Sequence, residues 1–85
     1  MKANTKLTNS QALGRAIAVV LAGRGLSQKN LAEMAGVDQA FVSLIQTGKR
    51  SPSMKTLNQF AKVLKVPVGD LLNLAYKFES GQWIP

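Results

Sequence analysis

Residues 28–47, QKNLAEMAGVDQAFVSLIQT, decide the fold of this chain. Small and apolar side chains stand in this stretch at the spacing that lets one short helix cross tightly over another. Ala32 lies in the middle of the amino-terminal helix of this stretch, and Gly36 lies at the break that follows it. Val42 and Ile45 occupy the buried side of the carboxyl-terminal helix of the stretch. The stretch therefore predicts two short helices joined by a turn of about three or four residues.

Capping residues, glycines and prolines divide the rest of the chain into helices. Serine or aspartate stands before each of the first four predicted helices, and glycine or proline follows each. In chain order these boundaries are Ser10 and Gly23, Ser27 and Gly36, Asp38 and Gly48, and Ser53 and Pro67. A fifth helix is predicted from Pro67 or Val68. The pattern lacks strand-like alternation, so we predict an all-α fold of about five short helices.

The composition excludes several classes of protein. The 85 residues contain neither cysteine nor histidine, so disulfides are impossible and a zinc site would need carboxylates alone. Cysteine nucleophiles and histidine general bases are therefore missing. We expect a single domain that is not an enzyme and that uses no metal, cofactor or small-molecule ligand.

The charge favours a polyanionic partner. A net charge of +7 and a pI of about 10.3 attract nucleic acid or an acidic membrane surface. The longest uncharged apolar run, residues 16–22, is far shorter than the roughly 20 residues that span a bilayer. Lys2 and Lys6 are not followed by an apolar segment at signal-peptide spacing. We expect a cytoplasmic protein without membrane contact.

Five pieces of sequence carry a family resemblance. They read LGRAI, GLSQKNLAEMAGV, FVSLIQTGKRSPS, TLNQFAKVLKV and DLL, and they lie within residues 13–72, a span of about 60 of the 85 residues. In this order they resemble the lambda-repressor-like family (the Cro/C1 or XRE type helix-turn-helix proteins). The resemblance implies a compact five-helix domain at residues 10–72 that binds operators in double-stranded DNA, usually as a dimer. Residues 1–9 are polar and are predicted to form a flexible arm, and residues 73–85 extend beyond the shared pattern.

Leu21 and Gln46 depart from the family's pattern. Many relatives carry an arginine late in the first helix and a glutamate near the end of the third, which form an internal ion pair. Replacing a buried ion pair by apolar and neutral groups is often neutral or stabilising. We therefore expect the fold to be kept.

The outward face of the third helix supplies the candidate base readers. The outward positions are Gln39, Ala40, Ser43, Leu44 and Thr47. A glutamine carboxamide can bond adenine N6 and N7 together, apolar side chains can pack on thymine methyl groups, and hydroxyls can bond bases or phosphates. A solvated Gln39 and an ordinary exposed Leu44 remain the alternatives. Phe41 is better explained as a core residue and Asp38 as a helix cap.

Both ends of the two-helix segment supply candidate phosphate contacts. Gln28 begins the second helix, where exposed N–H groups and the helix dipole favour an anion, and Lys29 follows it. The loop after the third helix adds Lys49, Arg50, Ser51 and Ser53, with Lys55 beyond. Such contacts fix the register on DNA and carry no sequence information. The alternative for the loop is a solvated basic turn.

One recognition helix cannot supply the roughly 4–10 kcal/mol that separates specific from non-specific binding, so we expect a homodimer. The candidate interface residues, which begin at helical spacing on the fifth helix, are Leu71, Leu74, Ala75, Phe78, Trp83 and Ile84. The alternative is that this tail folds back on the first helix, whose apolar faces need cover.

The function that agrees best with these features is a dimeric, sequence-specific transcriptional repressor from a bacterium, phage or plasmid, which places its third helix in the major groove of a palindromic operator. An antitoxin that regulates its own operon and grips a toxin with the apolar tail is one alternative. A protein-interaction adaptor built on the same scaffold is another, and the basic loop argues against it.

Overall fold

The computed structural model describes residues 7–80 and shows five helices packed into one body. They are α1 (Asn9–Gly23), α2 (Gln28–Ala35), α3 (Gln39–Gln46), α4 (Met54–Leu64) and α5 (Val68–Ser80). Residues 7–80 contain no strand, so the predicted all-α, five-helix fold is confirmed. No helix in these residues is long and apolar enough to cross a bilayer.

The caps of α2 and α4 agree with the sequence. Ser27 Oγ accepts from the Asn30 N–H at 3.0 Å, and the Asn30 side chain accepts in return from the Ser27 N–H at 2.9 Å. Ser53 Oγ accepts from the Thr56 N–H at 3.1 Å. Asp38 occupies the cap position of α3, but its carboxylate makes no capping hydrogen bond. Reciprocal bonds of the Ser27 kind satisfy N–H groups that would otherwise have no partner.

Helix α1 begins earlier than its predicted cap. Thr8 is the N-cap: its hydroxyl accepts from the Gln11 N–H at 3.1 Å, and the Gln11 side chain accepts from the Thr8 N–H at 3.0 Å. The prediction of Ser10 as the cap is therefore wrong. A cap at Ser10 would place Leu13 where a reciprocal acceptor is needed, and leucine has none. Ser10 lies in the first turn, and its hydroxyl hydrogen-bonds with that of Ser51.

The turn between α2 and α3 needs a left-handed residue. Gly36 has φ of +73°, and its N–H donates to Ala32, which also accepts from the Val37 N–H at 2.9 Å. Glycine adopts this conformation without the steric penalty of a Cβ. This turn fixes the direction in which α3 leaves α2.

The main core lies between α3 and its neighbours. Val42 and Ile45 of α3 are fully buried there, and Phe60 of α4 is the largest fully buried side chain. The other buried residues of this core, from α4 and from the remaining helices, are Ile17, Leu21, Leu31, Leu57, Ala61, Leu64 and Leu71. One face of the short helix α3 is thereby fixed, and its other face is left outward.

Helix α1 approaches the carboxyl end of α3 very closely. A Cβ added to Gly14 would lie 2.2 Å from the carbonyl oxygen of Ile45 and 2.7 Å from that of Gln46. Only a residue without a side chain allows the two backbones to meet at this distance. The contact fixes the end of α3 against the first helix.

Helix α5 folds back on α1. Ala75 and Phe78 pack against Ala12 and Ala16 in a second buried cluster, and Leu71 is fully buried in the main core. This packing contradicts the prediction that Leu71, Ala75 and Phe78 contact a second copy. The small alanine side chains of α1 let α5 pack closely against it. The structure therefore agrees with the alternative prediction, in which the tail folds back on the first helix. Leu74 is half-buried against the same cluster, and the remaining predicted interface residues, Trp83 and Ile84, lie outside the described residues.

Candidate nucleic-acid interface

The outward side of α3 is a narrow strip of neutral residues. Gln39 and Ala40 are exposed, Leu44 is 37% exposed, and Ser43 is half-buried at the edge of the strip. Because Val42 and Ile45 on the opposite side are fully buried, the helix cannot rotate without unpacking the core. The strip therefore offers one carboxamide and two apolar side chains from a rigid support.

Thr47 differs from the other predicted base readers. It follows α3 as the C-cap residue, and its hydroxyl lies 3.1 Å from the carbonyl oxygen of Ser43 and 3.2 Å from that of Leu44. The hydroxyl proton is thus directed back into the helix. Its oxygen can still accept a hydrogen bond, but as a donor Thr47 is already engaged.

The start of α2 is joined to the end of α3 by an amide pair. The Gln28 Nε2 donates to Oε1 of Gln46, and both side chains are half-buried. The first backbone bond into α2 runs from the Leu31 N–H to the Ser27 carbonyl at 3.0 Å. The N–H groups of Gln28 and Lys29 precede that bond and point out of the helix end, where an anion is favoured.

The role of Gln46 was not predicted from the sequence. The sequence marks Gln46 only as the neutral replacement of a family glutamate, whose arginine partner in the first helix is replaced by Leu21. In the structure Leu21 is buried in the core, and Gln46 turns to Gln28 instead. Two glutamines 18 positions apart are a weak sequence signal for a hydrogen bond. Their pairing can be recognised only when the relative positions of α2 and α3 are known.

The basic loop is folded back on the end of α3. The N–H groups of Lys49 and Arg50 both donate to the Leu44 carbonyl, at 3.0 Å and 3.2 Å. The two cationic side chains are exposed, and the Arg50 guanidinium carbon lies 5.6 Å from the centre of the Phe41 ring. The structure thus brings the loop and α3 together. As predicted, Phe41 is half-buried against the core.

The other predicted phosphate contacts are spread over the adjoining segments. Ser51 is exposed, and its hydroxyl bonds with that of Ser10 at the start of α1. The Ser53 hydroxyl caps α4, so its acceptor capacity is partly used. Lys29 and Lys55 are exposed in the first turns of α2 and α4. Lys29 thus lies on α2, which packs against α3, and Ser51, Ser53 and Lys55 lie between the end of α3 and the first turn of α4.

An exposed apolar pair on α5 was also missed by the sequence reading. Leu72 is 42% exposed and Tyr76 is 61% exposed, one helical turn apart. They line a groove between α5 and α1 together with Leu13 and Glu79. The sequence contains this i, i+4 pair, but the longer apolar repeat that begins at Leu71 is the stronger helical pattern in the same segment.

Comparisons with known proteins agree with this geometry. The helix-turn-helix family profile matches residues 17–71. The clp gene regulator ClgR from Corynebacterium glutamicum is 26% identical, with a TM-score of 0.87 over 92% of this chain and 83% of that one. The restriction-modification controller protein C.AhdI from Aeromonas hydrophila is 25% identical, with a TM-score of 0.72 over 74% of this chain and 96% of that one. A comparison with curated protein sequences gave no match.

Proposed function

Because the chain belongs to the helix-turn-helix family of DNA-binding transcription regulators, which are not enzymes, we propose that it is a dimeric repressor that binds a palindromic operator through α3. One observation carries the proposal: α3 presents Gln39, Ala40 and Leu44 outward while its other face is locked in the core. A helix held in this way can enter the major groove without losing its orientation.

The outward strip suits A·T base pairs. Gln39 can donate to N7 and accept from N6 of adenine, and the Ala40 and Leu44 side chains can contact thymine methyl groups. Ser43 and Thr47 add hydroxyl oxygens at the edge of the strip. Because the strip carries no arginine or lysine, the common bidentate contact to guanine is unavailable from α3 itself.

The phosphate contacts flank this strip. We assign them to the N–H groups and side chains at the start of α2 and to the basic loop, that is to Gln28, Lys29, Lys49, Arg50, Ser51, Ser53 and Lys55. Each lysine or arginine that neutralises a phosphate releases counterions, so binding should weaken steeply as salt rises. These contacts position α3 on the duplex and do not depend on the base sequence of the DNA.

A second copy completes the operator. The strip on α3 is too small to supply the roughly 4–10 kcal/mol that specific sites require over random DNA, and two copies on a two-fold axis double the readout. The exposed pair Leu72 and Tyr76 is the surface of α5 that we assign to the partner. Half-buried Leu74 lies on the other flank of α5 and packs against the second cluster. Trp83 and Ile84 remain candidates for the same interface.

Repression follows from occupancy. A dimer that fills consecutive stretches of the major groove excludes other proteins from the same site. ClgR is described as a gene regulator and C.AhdI as a restriction-modification controller protein, which supports a role in transcription. We place this activity in the cytoplasm, where a bacterial, phage or plasmid operator is found.

Selection of bound duplexes from a random pool tests the proposal. We expect enriched sequences with two symmetric half-sites about 10 base pairs apart and two protein copies per duplex in sedimentation. A promoter that carries the selected site should be transcribed less in the protein's presence. Failure to enrich any sequence, or one copy per duplex, would overturn the dimeric repressor.

Two variants of α5 test the assigned interface. Tyr76→Lys places a charge in the exposed apolar pair and should shift the free protein towards monomer. Asn73→Lys adds the same charge at an exposed polar position of the same helix and should leave the association unchanged. Equal effects of the two substitutions would exclude the Leu72–Tyr76 pair from the interface.

A further inference from the structure

We infer that Phe41 is a positioning residue for DNA binding, because its ring holds the Arg50 guanidinium beside the outward strip of α3, poised for a DNA phosphate. The inference rests on the proposed function, since it takes the loop to be a phosphate contact. Phe41, which the sequence predicts only as a core residue, thereby also acts in DNA binding.

The ring of Phe41 is a fixed surface. It belongs to α3 and packs against the main core, so it does not move independently of the recognition helix. The guanidinium carbon of Arg50 lies 5.6 Å from the ring centre. A cation within about 6 Å of an aromatic face is attracted by the ring's quadrupole.

The backbone of the loop reinforces this contact. The Lys49 and Arg50 N–H groups converge on the Leu44 carbonyl, one turn beyond Phe41 on the same helix. Arg50 is therefore held to α3 at both ends, through its backbone and through its guanidinium. An exposed arginine without such restraints samples many rotamers and loses that freedom on binding.

The hydrogen-bond donors of Arg50 are available for a ligand. Among residues 7–80 its guanidinium has no hydrogen-bond acceptor and no ion pair, whereas the Arg24 guanidinium donates to the carbonyls of Leu64 and Lys65 at 2.8 Å and 3.3 Å. Arg24 is thus committed to the fold and Arg50 is not. A guanidinium that meets a ring can still present N–H groups along its edge, in the geometry that a phosphate accepts.

The location of Arg50 fits this ligand. Its side chain lines a shallow depression on the surface together with Ala40, Phe41 and Leu44. Ala40 and Leu44 belong to the base-reading strip, so a phosphate bound at Arg50 would lie beside the bases that α3 contacts. Because the guanidinium is already held there, the Arg50 side chain loses less conformational entropy when DNA binds.

A double-mutant cycle tests the inference. The wild-type protein, Phe41→Leu, Arg50→Gln and the double variant are titrated by fluorescence anisotropy into a random-sequence duplex at several salt concentrations. We expect Phe41→Leu to weaken binding by about 3- to 10-fold in the presence of Arg50. On the Arg50→Gln background the same substitution should change binding by less than about 2-fold, because the ring then has nothing to position.

Matched variants separate this role from a structural one. On a Lys49→Gln background, Phe41→Leu should retain its full effect, and Phe41→Tyr should keep the wild-type affinity. Arg15→Gln removes a similar ring contact, at 5.8 Å from Phe78 on the α5 side, and should leave DNA binding unchanged. Circular dichroism establishes that each protein is folded at the assay temperature, and Phe41→Met is a second flexible, non-aromatic replacement if Phe41→Leu unfolds.

The outcomes are distinguishable. If Lys49→Gln weakens binding but the effects of Phe41→Leu and Arg50→Gln are additive, the positioning role is wrong and the basic loop remains a phosphate contact. If neither Lys49→Gln nor Arg50→Gln weakens binding at low salt, the loop is not a phosphate contact, and both the proposed interface and the positioning role fail.

Discussion

Replacing Gly14 by alanine perturbs the packing that holds the recognition helix in place. In most helix interiors this substitution is favourable by about 1 kcal/mol, because alanine restricts the unfolded chain and is the better helix former. At this position the added Cβ would lie 2.2 Å from the Ile45 carbonyl oxygen and 2.9 Å from the Gln46 carbonyl carbon. The neighbouring atoms belong to backbone, so no side chain can rotate away.

The magnitude follows from the shortfall in distance. Ordinary van der Waals contact of a Cβ begins near 3.4 Å, so α1 and α3 must separate by roughly 1 Å in an interior that is otherwise close-packed. Overpacking of this kind costs about 1–3 kcal/mol and occasionally more. The approach to backbone atoms places Gly14 at the upper end of that range, so after the helix-propensity gain we expect a net loss of about 2 kcal/mol. Such a loss lowers the Tm of a domain this size by about 8–16 °C.

Thermal and urea unfolding followed by circular dichroism measure this effect. Gly23→Ala is the matched control, because the position lies at the end of the same helix and a Cβ there meets nothing within 4 Å. We expect Gly23→Ala to match or slightly exceed the wild-type stability. A Gly14→Ala protein as stable as Gly23→Ala would refute the close approach of α1 to α3.

Three further substitutions test the local structure. Thr8→Ala removes the α1 cap and should lower the stability by about 1 kcal/mol, whereas Ser10→Ala should cost less; the reverse order in urea unfolding would restore Ser10 as the cap. Gly36→Ala places a Cβ in a left-handed residue and should cost about 1–2 kcal/mol, with Gly36→Asn milder; equal Tm values for the two would argue against the left-handed turn. Gln46→Leu removes the acceptor of the Gln28 amide and should lower the affinity for operator and random DNA in equal proportion; an unequal loss in anisotropy titrations would place Gln28 on bases.

Features set by neighbouring residues could be predicted from the sequence. The caps at Ser27 and Ser53 and the left-handed Gly36 depend on backbone within about one turn, and the structure agrees with each. The error at Ser10 is of the same local kind. Thr8 and Ser10 both carry a hydroxyl, and the cap forms at the one that has a reciprocal partner three residues later. That partner is Gln11, which pairs with Thr8.

Features that need tertiary placement could not be predicted. The period of α5 shows that Ala75 and Phe78 are buried, but burial against α1 and burial against a second copy produce the same spacing. Likewise the Gln28–Gln46 pair and the contact of Arg50 with Phe41 join residues whose distance is set only when α2, α3 and the loop are assembled. Sequence periodicity shows which face of a helix is buried, but it does not show which element packs against that face.

The readout by Gln39 tests the central claim most directly. The affinities of the wild-type protein, Gln39→Ala and Lys49→Gln are measured on the selected operator and on a random duplex at the same salt concentration. We predict that Gln39→Ala loses about 1–3 kcal/mol on the operator, roughly 5- to 150-fold, and almost nothing on random DNA, while Lys49→Gln weakens both duplexes alike. Equal losses by Gln39→Ala on the two duplexes would contradict the account, because α3 would then hold DNA without reading it.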